Sequence, residues 1–527
     1  MTEQEEKITG MLRCLRRLNE PVSAFRDASG EWHYANAWPA ETSVSAAFIG
    51  PTPMEQLGDP SFCRDHGLRY PLYAGSMAHG IASAELVEAM GRAGMAGFYG
   101  AAGEAPDRVE AALVSLRGRM GGRPFGFNLI NSPNAPDWEK AVADIYIRHG
   151  LRLVEASAYV ALSPALVKYR VKGVHRGPDG AVTAPNRVIA KVSRAEVAER
   201  FFAPPPEKLL RRLVEAGEIT PEEAVLAAEM PMAADVTAEA DSGGHTDHRA
   251  AFAMLPGLLA LRDASRARHG YRAPLRVGLA GGIATPHAVA AAFAMGAAYV
   301  ATGSVNQACV ESGTSDAVRA LLANASQTDV ARAPAADMFE MGVTVQVLKK
   351  GTRFAERACR LHDLYRRCEG LDDIPAEDRQ RLEETVFRMP LDRVWALTRD
   401  FFAARDPRQV EKAEADPRHK MALVFRWYLG SSSHWANAGD PERGEDYQVW
   451  CGPGMGAFND WTRGTFMGAP AGRSAPLAAE NMLFHGAVLL RAAALRAQGA
   501  PVDMTNDRIA PLGREELDNC LSGKGSD

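Results

Sequence analysis

The sequence comprises 527 residues, 46% hydrophobic and 24% charged, a balance that excludes a disordered chain or a fibre and supplies material for a large core. Its 60 lysines and arginines against 65 acidic residues leave a net charge of −5, so nothing draws the whole molecule to nucleic acid or to an anionic membrane surface. Seven scattered cysteines with no CxxC pair argue against a disulfide framework or a zinc ribbon, and no secretory signal or membrane span is visible, so a reduced, cytoplasmic protein is expected.

Residues 1–65 are mixed, punctuated by Trp32, Trp38, Pro51 and Pro53, and read as an N-terminal extension packed on a larger body. From Tyr70 the texture changes. Short apolar runs alternate with longer stretches of helical spacing: Pro71–Gly75, Met95–Gly100, Pro124–Ile130, Leu151–Ala156, Arg187–Val192, Ala234–Glu239, Leu275–Ala280 and Ala297–Thr302. Such runs suit strands buried on both faces. Eight of them separated by helices predict parallel βαβ units closed into a (β/α)8 barrel over residues 66–325.

The rhythm is stretched once, after the fifth run. There Pro204-Pro205-Pro206 precedes two helical segments, Glu207–Ala216 and Pro221–Glu229, with Thr220 and Glu223 as a capping box. A helical insertion over about 203–232 is predicted. Residues 326–527 carry further helical patterns and a Trp- and Gly-rich stretch, and read as a mainly helical region that covers or extends the barrel.

The active site of such a barrel lies at the C-terminal ends of its strands. The seventh run ends in Gly281-Gly282 and the eighth in Gly303-Ser304. Glycines there let backbone N–H groups approach an anion, and the loops after strands seven and eight commonly hold phosphate. The bland alternative is that these glycines only turn the chain. The sixth run leads through Asp241-Ser242-Gly243-Gly244 to His245, placed for acid–base work or for simply bonding its own loop. His245 and His248 lack an evident third metal ligand, so no metal is expected. After the first run, Ala74-Gly75-Ser76-Met77 offers small residues and a methionine for the face of a flat ring. Asn128 in the third run offers an amide for the ring's polar edge. Lys191 either neutralises an anionic ring atom or snorkels to solvent.

Gly452-Pro453-Gly454-Met455-Gly456-Ala457 satisfies GxGxx(G/A). The segment after it, interrupted by Gly464 and Pro470, reads as a poor helix, and no βαβ unit frames it. Cys451 has no paired base that would make it a nucleophile.

Taken together, Pro71–Gly80 with the helix Ser83–Gly94, Gly126–Leu129, Asp241–His245, Gly281–Ala284 and Gly303–Ser304 resemble the flavin-binding barrel family of nitronate monooxygenases and FMN-dependent enoyl-acyl-carrier-protein reductases. Within it the chain is more similar to the PfaD type, the trans-acting enoyl reductase of polyunsaturated fatty acid and polyketide synthases. That narrower likeness rests on Glu239–Asp247, Val345–Thr352, and Trp450–Pro453 through Phe458-Asn459. The resemblance implies FMN, with Gly281, Gly282, Gly303 and Ser304 at its phosphate. Ala74, Gly75, Met77, Asn128, Lys191, Gly243 and Gly244 would lie about the rest of the cofactor, and His245 would be the acid–base residue. Ser76, His79 and Asp241 stand where proline, glycine and glutamate are usual, which adds His79 as a second candidate proton donor. NADPH or NADH is the implied reductant. An acyl carrier protein bearing an enoyl thioester, with other synthase subunits, is the implied partner, and Arg353, Arg357 and Arg360 are candidate contacts unless they form an ordinary solvated face. Related barrels often pair, so a homodimer stays open. Rival readings are an oxygen-consuming nitronate monooxygenase, a non-catalytic docking subunit, and a sugar-phosphate isomerase.

Overall fold

A computed structural model describes residues 3–38, 47–133, 135–244 and 247–523, with residues 3–7 described by backbone alone. All eight apolar runs form strands: β1 (Leu72–Ala74), β2 (Ala96–Tyr99), β3 (Gly126–Ile130), β4 (Leu153–Ser157), β5 (Arg187–Val192), β6 (Asp235–Glu239), β7 (Arg276–Ala280) and β8 (Val300–Thr302). They close into a barrel in which β8 returns beside β1, with Val300 opposite Leu72 and Thr302 opposite Ala74. Every neighbouring pair is parallel. Val154, Val188, Val236 and Val277 are buried, as a sheet covered on both faces requires.

The barrel interior is filled rather than hollow. The Thr237 hydroxyl bridges the Tyr73 hydroxyl at 2.9 Å and the Tyr299 hydroxyl at 3.0 Å, and Phe62 stacks on Tyr299 with ring centroids 4.0 Å apart. At the strands' N-terminal end, Asp235 accepts from Arg276 at 2.6 Å and lies 2.8 Å from His66.

Each connecting helix starts where its sequence allows. Ser83, Ser163 and Thr285 cap helices beginning at Ala84, Pro164 and Pro286 through their hydroxyls. The insertion between β5 and β6 contains the helices Glu207–Glu215 and Pro221–Ala227, the second opened by the Thr220–Glu223 capping box.

The chain groups into two compact units. The first comprises Met1–Asp241, Asp247–Gly313 and Ala457–Asp527; the second comprises Ser242–Thr246 and Thr314–Gly456. In the first, a three-stranded antiparallel sheet (Val22–Arg26 flanked by Trp32–Ala35 and Ala47–Ile49) precedes the barrel. The long helix Ala475–Ala497 packs on the barrel helix Pro286–Ala294, and its fully buried Arg491 donates to the carbonyls of Leu15, Arg17 and Glu20. That arginine ties the N-terminal segment to the helix Ala475–Ala497.

The second unit contains an antiparallel hairpin, β9 (Val330–Pro334) with β10 (Thr344–Leu348), and a helical core built on Phe339, Phe354, Leu361, Phe387, Phe425 and Tyr428. Asp446, fully buried there, accepts from Arg357 and from Tyr428 at 2.8 Å, with Arg443 3.2 Å away. Among the described residues no helix is long and apolar enough to cross a membrane.

Candidate active site

The turn after β1 is held from both sides. The Gly75 N–H donates to the Thr302 carbonyl of β8 at 2.9 Å, and the His79 N–H donates to Ala102, beyond β2, at 2.8 Å. Ala74 is buried, whereas Met77 and His79 are half-buried at the strand ends. His79 adopts a left-handed φ of 57°, uncommon for a residue with a β-carbon, and its ring packs where a side chain on Gly103 would stand. Asn128, in β3, directs its carbonyl oxygen to the N–H groups of Ala101 and Ala102 at 2.8 and 3.3 Å. Its oxygen is thereby committed to shaping the loop after β2.

The ends of β4, β5 and β6 carry a cluster of charges. The Lys191 ammonium lies 2.7 Å from a Glu239 carboxylate oxygen, with side chains 16% and 12% exposed. Lys191 therefore does not snorkel to solvent. Burial pushes its ammonium down, but the carboxylates of Glu239 and Glu155 outweigh that and hold it above the ordinary lysine value. Glu155 is wholly buried and accepts from the Ser76 N–H at 3.0 Å and from the Ser76 hydroxyl. Sequence reasoning missed Glu155 and Glu239 as site residues, because each stands at or near the end of a run read for its apolar residues. Such a charge, costly to bury alone, was the signal available for them.

After β7 and β8 the backbone is open. Gly281 and Gly282 have φ of 85° and 74°. A side chain on Gly281 would meet the Ala240 carbonyl carbon at 2.6 Å, so that position requires glycine. At Gly282 and Gly303 a β-carbon would meet nothing within 4 Å. Ser304 opens the short helix Ser304–Gln307, which follows Gly303. This bare backbone on adjacent strands is a cradle that side chains would fill, and it fits the phosphate of FMN.

The loop after β6 is pinned at its base in the first unit. The Asp241 N–H donates to Arg249 at 3.1 Å, Asp241 accepts from the His248 ring at 2.9 Å, and Asp247 accepts from Arg194 at 2.7 Å and Ser193 at 3.0 Å. His245 lies outside the described residues. In the second unit, Gly243 approaches Cys451 so closely that a β-carbon would stand 2.9 Å from its nitrogen, and Gly452 approaches Ser242 in the same way at 3.1 Å. Gly244 donates to the Ser242 hydroxyl at 3.4 Å. Beside them, Cys451 donates to Gln346, Leu348 donates to Val449, and Val347 bridges Trp450. Parts of the three stretches that carry the narrower resemblance, Ser242–Gly244, Val345–Thr352 and Trp450–Pro453, thus meet in the second unit.

Two sequence expectations are corrected. The segment after Gly452 is a regular helix, Gly454–Thr462, because Gly464 and Pro470 fall beyond its end. It follows only an isolated antiparallel bridge, so no βαβ unit is present there. Arg357 is not on a solvated face: it is 6% exposed and spent on Asp446 and Glu445, while Arg353 and Arg360 lie at the surface paired with Glu356 and Asp378. Burial holds the Cys451 thiol up at about 12, which leaves it a poor nucleophile.

A family model described as nitronate monooxygenase matches residues 61–359, the whole barrel included. The chain belongs to the nitronate monooxygenase family. That family is flavin-dependent. A second model, the inserted helical domain of [acyl-carrier-protein] S-malonyltransferase, matches residues 368–447. Among curated relatives, a component of the polyunsaturated fatty acid synthase of Thraustochytrium sp. is 47% identical over 81% of this chain. The polyketide biosynthesis protein PksE of Bacillus subtilis is 43% identical over 92% of it. The chain spans 29% of the first relative's length and 62% of the second's. The crystal structure of the enoyl reductase domain of MlnA, from the macrolactin biosynthesis cluster of Bacillus amyloliquefaciens, is 39% identical, with a TM-score of 0.80. It covers 83% of this family member and is itself covered over 99% of its length.

Proposed function

We propose that the protein is a trans-acting enoyl reductase that reduces 2-enoyl thioesters on an acyl carrier protein during polyketide or polyunsaturated fatty acid biosynthesis. The observation that carries this reading is the near-complete match to the MlnA enoyl reductase domain. The overall reaction balances as enoyl thioester plus NAD(P)H plus a proton giving saturated thioester plus NAD(P)⁺. FMN supplies the hydride-carrying chemistry between nicotinamide and the β-carbon when it is bound.

The chain's own residues hold and polarise. Gly281, Gly282, Gly303 and Ser304 offer backbone to the phosphate, and the turn Ala74–Met77 would flank the ring. Lys191, kept cationic by its two carboxylates, would face negative charge on the ring. His245 is proposed to deliver the proton to the α-carbon, with His79 at the β1 turn as the other donor. Relatives that are subunits of a polyunsaturated fatty acid synthase support association with a carrier protein and neighbouring subunits.

The test is the visible spectrum of the purified protein, then anaerobic NADPH, then a crotonyl thioester. Flavin bands that bleach with NADPH and return with the thioester are expected. Bands that return only with oxygen would favour nitronate oxidation, the activity after which the matching family is described. A colourless protein that cannot take up FMN would leave the docking role. In the same assay His245→Ala is expected to lower turnover by about 10²–10⁴-fold if that residue is the general acid.

A further inference from the structure

Glu155 has one satisfied oxygen and one that is not. Oε2 takes both donors of Ser76, the N–H at 3.0 Å and the hydroxyl. Oε1 is buried and has no hydrogen-bond partner among the described residues. It lies beside Gly75, where a β-carbon would stand 3.5 Å from it and 3.3 Å from the Thr302 carbonyl. A buried polar oxygen is costly to leave unpaired, and where one persists in a strand-end site it marks a group completed from outside the chain. The charged and titratable groups around it are Lys191 on β5, Glu239 on β6, and the hydroxyls of Tyr73 and Tyr299. Burial pushes the Glu155 carboxyl up, against the pull of Lys191 and the Ser76 bonds.

We propose that Glu155 is a positioning residue of the flavin site: through Ser76 it locks the turn Gly75–Met77, and its Oε1 hydrogen-bonds the ligand seated on that turn. This inference rests on the FMN reading above.

The test is a titration of apoprotein with FMN, followed by flavin fluorescence and by the visible band, for wild type, Glu155→Gln, Glu155→Leu and Ser76→Ala. Melting of each apoprotein reports the fold separately. Glu155→Gln keeps both polar positions and is expected to bind within about threefold of wild type. Glu155→Leu fills the volume without polar atoms and is expected to weaken binding about tenfold or more, with a displaced visible band. Where Glu155→Leu does not fold, Ser76→Ala carries the decision. It is expected to weaken FMN at least about threefold in an apoprotein that still melts cooperatively. Wild-type affinity and an unmoved band in the folded Leu variant, or in Ser76→Ala when the Leu variant does not fold, overturn the proposal. Loss of affinity in Glu155→Gln equal to that in Glu155→Leu overturns it as well, since hydrogen bonding would not then be what matters. A wild-type apoprotein that takes up no FMN overturns the flavin reading itself, and is told apart by failing before any variant is compared.

Discussion

The Nζ of Lys191 sits 2.7 Å from Oε1 of Glu239, on the next strand of the barrel, and this pair is the electrostatic anchor of the candidate site. Both side chains are largely withdrawn from water. Removing one partner leaves the other buried with less compensation, which costs more than a surface pair would. Glu239→Gln is expected to destabilise the apoprotein by about 3 kcal/mol in urea unfolding. The double variant Lys191→Met/Glu239→Leu is expected to lose less than Glu239→Gln alone. A loss in the double variant equal to the sum of the losses in Lys191→Met and Glu239→Leu would show that the pair is not coupled.

At the opposite end of the barrel, Asp235 controls acid stability. Burial pushes its carboxyl up, but His66 and Arg276 outweigh that and hold it well below the ordinary carboxylate range. A depressed folded value means the contribution is fully present above the unfolded value of about 4. It is lost as pH falls through that value toward the folded one. Asp235→Asn should therefore melt well below wild type at pH 7, with the gap holding down to about pH 5 and narrowing only from there toward pH 3. Calorimetry across that range checks it; a gap that stays constant would place the acid sensitivity elsewhere.

The two neighbouring glycines after β7 separate fold from ligand. Gly281→Ala adds a β-carbon 2.6 Å from the Ala240 carbonyl carbon as well as left-handed strain, and is expected to cost about 3 kcal/mol or more. Gly282→Ala meets only the strain, about 1–2 kcal/mol, because its β-carbon would enter open space. That open space is the proposed phosphate cradle. Gly282→Ala should thus weaken FMN binding more than its modest stability loss would suggest, in a titration run beside a melt.

Thiol labelling should be selective. Cys359 is exposed, whereas Cys451 is buried with its thiol pushed up to about 12. Iodoacetamide at pH 8 on the folded protein is expected to modify Cys359 and spare Cys451, as read by peptide mass. Prompt labelling of Cys451 would contradict its burial.

The barrel was legible because its signal is local. A strand covered on both faces must be a short apolar run, and all eight such runs became strands. The Thr220–Glu223 box and the bare backbone at Gly282 and Gly303 were readable for the same reason: the requirement and the residue coincide. The charged cluster was not. Lys191 acquires its meaning from Glu239, 48 positions later in the numbering, and Glu155 from Ser76 across the barrel, so no window of sequence contains either pair. Arg357 misled in the reverse direction. Its helix shows the spacing of a solvated face, yet the residue is consumed by Asp446, whose burial is decided by Tyr428 and Arg443 from other segments.

The chain path also has a consequence in time. Residues Ala457–Asp527 belong with the barrel, and Arg491 among them donates to the carbonyls of Leu15, Arg17 and Glu20. During synthesis the ribosome therefore emits the whole of Thr314–Gly456 while the first unit still lacks its closing helix. The nascent barrel must wait, with the helix Pro286–Ala294 still missing the Ala475–Ala497 helix it packs against, until that helix has emerged.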